Sequence, residues 1–484
     1  MHLSNALGSC TRRVRDRALH ISSGTDERVY AGLLLVGALL SISNSQQLSI
    51  AALAMGMVLS ILSPVVAFWA CCAAIPFVYH PIFIGSASVT LLEAGLAATM
   101  AGIGGRIVVE RARFSYSAFI APKEIRWVWP GAAALIIAGV LAIILQPDQS
   151  HVRESVRTFR WVIVEAIVAF VAARYAIGER GEGRVAGALA IPAAGVSLWA
   201  LAEAAFGLSG FEADGVFRAT ASYLHPNNLA LYLIRVFVLL LAVVVLAGPR
   251  GIRFHWLAGA ALVGLALAAT LSRGALLGAL AGMLLIAWYA RRRTVLLVSV
   301  GMAVSLPVAF MLFAEQRFLG GDSSGIGETR IKIWSSAFEM IRDYPISGIG
   351  MDQFLYQHNP RYIDPSAWQE RYISHPHNLL LDSWLSLGLP GILLLTAAVI
   401  ALWRQTVSVR KHSTTGQCWQ AAATASLTAG LVHSLVDNGY FLPDLAAMTW
   451  ILIALSLGPV AGQSRYVLGS QLSAMRQFAR PPRL

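Results

Sequence analysis

The chain has 484 residues, of which 57% are hydrophobic and only 13% charged, and that balance excludes an ordinary soluble globule. Its formal net charge of +12 raises the question of nucleic acid, but the basic residues sit in short breaks between long apolar runs, which excludes that partner. Runs near bilayer length recur from Val29 to Val460, and runs of that length mean helices rather than barrel strands, so the expected fold class is an all-α polytopic membrane protein.

In chain order, residues 1–28 are polar and carry arginines, without a short apolar core ahead of a small-residue cleavage site. They read as a cytoplasmic tail, and the first span as the insertion signal. Spans are expected at 30–47, 48–63, 65–79, 83–105, 127–146, 158–177, 186–207, 227–248, 255–271, 274–290, 294–314, 376–403, 418–436 and 444–462. The second and third are short enough to be re-entrant, giving twelve to fourteen crossings. Arg12 to Arg17, Arg106, Arg111, Arg113, Lys123, Arg126, Arg180, Arg184, Arg250, Arg253, Arg291 to Arg293, Arg404, Arg410 and Lys411 fall on one side. That is the positive-inside signature, and it assigns both termini to the cytoplasm. The expected organisation is a tail (1–28), transmembrane helices (29–314), one external loop (315–375), C-terminal transmembrane helices (376–462) and a second cytoplasmic tail (463–484).

The four cysteines show no metal spacing, and Cys71-Cys72 reads as a pair of small packed hydrophobes. The loop from Glu315 to Ser374 is the longest water-compatible insertion between the first and last spans. Within it Thr329 is a plausible helix cap, followed by Ile331, Trp334, Phe338 and Ile341 at helical spacing. Pro345, Gly348 and Gly350 end that pattern. The reading is an amphipathic helix lying on the membrane face with this stripe down. Tyr356, His358, Arg361, Tyr362, Trp368, Arg371 and Tyr372 then form an aromatic and basic group suited to sugars or headgroups, or else to anchoring the loop.

The residues that can carry chemistry lie at the outer ends of the spans. His375-Pro376-His377-Asn378 stands where the loop re-enters lipid, and two imidazoles there exceed what capping a helix needs. Arg218 precedes His225-Pro226-Asn227-Asn228 at the head of another span, with Arg235 deeper inside it. Arg273 stands between two spans, and Arg330 begins the loop helix. A charge within a span needs a partner, a wet cavity or an anion. Guanidinium forks match phosphate oxygens, so several at one face suggest a pyrophosphate clamp. External Asp-x-Asp pairs and nucleotide-binding glycine loops are absent, so neither a metal nor a cofactor is expected, and if a transfer occurs there its donor must arrive already activated.

At these residues the chain resembles the O-antigen ligase and polymerase superfamily of bacterial envelope glycosyltransferases (WaaL- and Wzy-like), and the ligases most. His377-Asn378, nine residues and Gly388-Leu389-Pro390-Gly391 match the ligase pattern throughout. The Arg-x-x-x-Leu element is matched by Arg273 with Leu277 and also by Arg235 with Leu239. Arg330 to Gly350 resembles the family's loop helix and turn, Arg218 with His225-Pro226-Asn227 an upstream element, and His433 with Asp437 a late one. The likeness runs from Arg218 to Asp444; the earlier spans match only in hydropathy.

The resemblance implies a GT-C-like helical fold in the bacterial inner membrane with its active site facing the periplasm. It implies metal-independent, inverting transfer of a glycan from undecaprenyl diphosphate to a sugar hydroxyl of a lipid A-core acceptor. His377 is then the expected catalytic base. Arg218, Arg273, Arg330, His375, Asn378, Asn227 and Asp437 are the expected substrate-binding residues, among membrane lipids. Polymerisation onto a lipid-linked repeat and transfer to a protein hydroxyl remain alternatives. A lipid-glycan flippase, with Arg235 lining its path, is an alternative of another class, and an envelope scaffold a third.

Overall fold

The computed structural model describes residues 63–84, 87–109, 127–213, 216–247, 254–291, 326–411 and 417–459, with isolated positions from 47 to 58. The expected spans 30–47 and 48–63, apart from those isolated positions, and the span 294–314 lie outside the described residues, as do both tails and the start of the external loop. The protein is all-α and polytopic. Among the described residues six helices are long and apolar enough to cross a membrane, with four shorter apolar helices beside them.

The chain forms two compact units. In the first, α1 (Pro64–Ala74), which runs on into a 3-10 turn, packs against α2 (Leu91–Val109). A Cβ on Gly95 would lie 2.9 Å from the Cys71 backbone, so the two helices touch closely, and Cys71 and Cys72 are fully buried. Thr90 and Glu93 exchange bonds between their side chains and backbone N–H groups, a capping box that starts α2. The expected span 83–105 is corrected here. Its first residues form an antiparallel hairpin, β1 (Ile82–Ile84) with β2 (Ala87–Val89). β-branched Ile82 and Ile84 favour strand over helix.

The second unit holds the remaining elements. Helix α3 is Val128–Leu145. Helices α4 (Val152–Phe159) and α5 (Glu165–Arg180) are joined through a π-helical turn, Arg160–Val164, into one long span, and α6 is Glu182–Phe206. A second hairpin, β3 (Phe211–Ala213) with β4 (Val216–Arg218), follows. Then come α7 (Pro226–Leu246), α8 (Phe254–Ala269) and α9 (Arg273–Ala290). The loop contributes α10 (Ile326–Asp343) and α11 (Phe354–Gln357); α12 (Leu379–Lys411), α13 (Cys418–Ser434) and α14 (Pro443–Ser456) complete the unit. Helix α7 is apolar all round and forms the centre, packed by α6, α8, α9 and α13, while α14 lies on α5 and α3 on α12.

Two further expectations are corrected. The span 376–403 is broken: Gly388 sits at φ 67°, ψ −157°, which interrupts α12 after its first turns. The turn after α10 docks into that break. The Leu385 carbonyl, freed there, accepts from Ile349 and Gly350 N–H, and Leu389 N–H donates to Ile346 O. A Cβ on Gly388 would lie 2.0 Å from Ile346 O, so only glycine meets both the backbone angle and the close approach. This contact is the physical content of the His-Asn-x9-Gly spacing. The loop helix α10 begins at Ile326, ahead of Thr329, and the face it buries differs from the expected stripe. Ile333, Ala337, Met340 and Ile341 pack on Ile349, Phe354, Leu381 and Leu385, whereas Ile331 and Phe338 are exposed. The other face of this helix is packed against the start of α12.

Candidate active site

Four segments meet at one end of the second unit: the β4–α7 connection, the start of α9, the loop-to-α12 junction, and the α13–α14 connection. The junction is held first. Trp334 of α10 donates its indole N–H to Pro376 O at 2.9 Å. Asn378 caps α12 by accepting from Leu380 and Leu381 N–H at 2.9 and 3.2 Å, and its amide nitrogen donates to Leu435 O at 3.0 Å. Between these two fixed points His377 adopts φ 51°, a left-handed conformation that a β-carbon disfavours and that surrounding contacts must hold. Its Nδ1 lies 3.0 Å from Asp437 Oδ1. The carboxylate is buried (3% exposed), and the imidazole is a quarter exposed. One side of the imidazole is therefore anchored and the other reaches solvent.

His375 and His225 repeat one local design. In each His-Pro-X turn the ring Nδ1 accepts the N–H of the residue two positions on, His377 N at 3.3 Å and Asn227 N at 3.2 Å. An accepting Nδ1 carries no proton, so each neutral ring presents Nε2–H as a donor. The electrostatics agree. Burial first, and then the Arg218 charge, pushes His225 down to about 4; burial, and then the neighbouring His377 imidazole, pushes His375 down to about 3. Burial pushes the Asp437 carboxyl up, but the His377 hydrogen bond, with the imidazoles around it, outweighs burial and holds Asp437 below the usual carboxylate range. Arg218 and Arg330 both act on His225, and Arg330 on His375, so the cluster is electropositive.

The cations are placed by backbone design. Arg218 ends the β3–β4 hairpin, is buried, and donates to Thr270 O at 2.8 Å and to Asn227 Oδ1 at 2.7 Å. The turn between Arg218 and His225 is tied by Glu203, a fully buried carboxylate that accepts Thr220 and Ala221 N–H at 2.9 and 2.8 Å. Arg273 is the first residue of α9, exposed, with Ser272 as the N-cap. The next residue, Gly274, lets this helix end press on His433, whose ring carbon would lie 2.4 Å from an added Cβ. Arg330 is half-buried on α10. In the expected aromatic group, His358 is buried and stacks on Phe354, Tyr356 stacks on His151, and Tyr362 donates to Asp343 at 2.7 Å. Trp368 and Tyr372 remain exposed, flanking the Arg371 guanidinium.

Sequence reasoning set His225 at the head of a span and in an upstream family element without a role of its own, and passed over Glu203 and the β3–β4 hairpin. The Asp214-Gly215 pair was a legible hairpin signal; Glu203 carried none, because its partners lie 17 and 18 residues on, in a turn beyond the hairpin. The residue spacing also argued against a chelate, yet His375, His377 and Asp437 bring one ligand atom each within 4.8 Å of one another. The surrounding guanidiniums depress protonation of the neighbouring imidazoles, and the same field opposes a metal cation and favours an anion.

The O-antigen ligase family profile matches residues 258–396, a stretch that includes Arg273, Arg330, His375, His377 and Gly388. This match supports the O-antigen ligase and polymerase superfamily for that part of the chain. No curated protein matches it. The family match supports glycosyl transfer of the ligase or polymerase type in general, by a protein with six candidate membrane helices among the described residues.

Proposed function

We propose that this protein is an inverting, metal-independent O-antigen ligase that transfers glycan from undecaprenyl diphosphate to a sugar hydroxyl of lipid A-core at the periplasmic face of the inner membrane, on a GT-C-like helical frame. The observation that carries the reading is the His377–Asp437 pair with Arg218 and Arg330 acting on the same cluster at one end of the unit, Arg273 standing at the start of α9. Asp437 accepts Nδ1–H of His377, which leaves Nε2 with its lone pair facing the open side. The acceptor hydroxyl attacks the anomeric carbon as Nε2 takes its proton. The bond from that carbon to the diphosphate breaks on the opposite face, and the electron pair leaves with the diphosphate. The guanidiniums stabilise the charge that develops there. His375 and His225, held neutral, offer N–H groups to phosphate or sugar oxygens and do not compete for the proton. In this scheme Asn227 holds Arg218, and Asn378 fixes the backbone that presents His377.

The test is transfer by purified protein with a lipid-diphosphate glycan and lipid A-core. General-base help is worth about 10²–10⁴-fold, so His377→Ala should lose at least about that much while inserting normally. Transfer at the wild-type rate by His377→Ala overturns the assignment. Extension of a lipid-linked repeat in place of the core by the wild-type protein makes it a polymerase instead.

A further inference from the structure

Arg235 is the charge that the reaction scheme leaves unused. It stands on α7, nine residues and about 14 Å past the helix start, in a segment apolar all round, and it is buried. Its terminal nitrogens donate to two backbone carbonyls: Leu231 O within its own helix, and Gly439 O at 2.6 Å in the α13–α14 connection. Asp444 at the head of α14 supplies a countercharge, and that carboxylate also accepts the Tyr223 hydroxyl at 3.0 Å.

Space has been cleared for this contact. A Cβ on Gly430 would lie 2.9 Å from Arg235 Nε, and a Cβ on Gly439 would collide with Ser434 Oγ at 1.5 Å. Ser426 of α13 donates to Arg235 O at 2.7 Å, joining the two backbones at the same level. The connection is further fixed by Asn438, whose side chain accepts Phe441 N–H at 3.0 Å, and by Tyr440, whose hydroxyl donates to Val162 O in the π-helical turn at 3.0 Å. The residue two before Gly439 is Asp437.

We infer that Arg235 is the positioning residue of the base: by holding the Gly439 carbonyl it sets the turn that brings Asp437 to His377. The inference rests on His377 being the base, as proposed above. It gives an intramembrane arginine a role within the transfer reaction and removes the need for a transport path along it. The fork matters because two carbonyls on different elements must be bonded at once, and an ammonium group reaches them with poorer geometry.

The experiment is a double-mutant cycle in nanodiscs with Arg235→Met, Arg235→Lys, Asp437→Asn and the Met/Asn pair. Two quantities are measured: kcat and donor KM for transfer, and the rate at which diethyl pyrocarbonate carbethoxylates His377, followed by mass spectrometry. Arg235→Met should lower kcat about tenfold or more with donor KM within about twofold, as loss of an outer partner does. It should slow modification of His377 as much as Asp437→Asn does, and cost nothing further in the Asp437→Asn background. Lysine should restore part of both rates. Gly430→Ala, which presses on the guanidinium and keeps its charge, should show the same non-additivity if Arg235→Met fails to fold. Losses that add in both readouts, or wild-type rates in Arg235→Met, overturn the inference. If the wild-type protein transfers nothing, the functional reading fails, and the modification cycle still decides whether Arg235 acts through Asp437.

Discussion

Asp437→Asn is the substitution that most directly tests the pairing. The carboxylate is buried and lies 3.0 Å from His377 Nδ1, and its Oδ1 also accepts Asn438 N–H at 2.9 Å, so the amide keeps the shape and one backbone contact. What it loses is charge. A hydrogen bond to a charged group contributes about 1.5–3 kcal/mol, and at about 1.4 kcal/mol per decade this corresponds to roughly 10–150-fold in rate. Simple Coulomb attraction at 3.0 Å with an effective dielectric near 20 gives about 5 kcal/mol, so the hydrogen-bond figure is a floor. If the amide nitrogen turns toward the imidazole, Nδ1 must accept, Nε2 carries the proton, and the loss can approach about 10⁴-fold. The assay is steady-state transfer in nanodiscs with donor and acceptor varied separately. The fall should appear in kcat with little change in donor KM, since the pair acts on the proton and not on the diphosphate. An Asp437→Asn protein with wild-type kcat would refute the orienting role, and with it the reason for assigning His377 as base.

Three other outcomes are expected. Arg273→Lys keeps the charge and loses the fork, so donor KM should rise and kcat recover only in part; unchanged donor kinetics would argue against a bidentate contact. Gly274→Ala places a methyl group against the His433 ring, an overpacking that costs about 1–3 kcal/mol, and should lower the melting temperature and weaken donor use together. Thermal stability should fall as pH is lowered from about 6.5 toward 4. In that window the unfolded chain protonates His225 and His375 while the folded chain, with His225 at about 4 and His375 at about 3, does not. The Asp437 contribution has the opposite origin. Its folded carboxyl is held low, so its stabilisation is present above the ordinary carboxylate value and is lost only below it. His225→Gln should flatten the slope between 6.5 and 4, and an unchanged slope would rule out that source.

What could be read from the sequence depended on how far apart the causes lie along the chain. Helix existence followed from apolar run length, because a backbone in lipid must satisfy itself locally; the described span limits at 127–146, 186–207 and 274–290 come within a few residues of those expected. The motif around His377 was legible for a similar reason: histidines, Asn378 and Gly388 lie within one short stretch.

Which face α10 packs against α12 was not legible. Ile331 and Phe338 are as apolar as Ile333 and Met340, and only the groove offered by the start of α12 distinguishes them. Hairpin β1–β2 was read as the start of a span because hydropathy alone does not separate a short apolar strand from a helix. The sequence by itself determined the membrane class, the helices and the residue types able to move a proton or hold a diphosphate. Tertiary structure alone decided that Asp437 pairs with His377, sixty positions away, that Glu203 ties the Arg218 turn, and that Arg235 bonds a carbonyl of the α13–α14 connection. Each of these is a polar contact between elements, fixed by helix packing and glycine-sized gaps, and no local pattern along the chain encodes it.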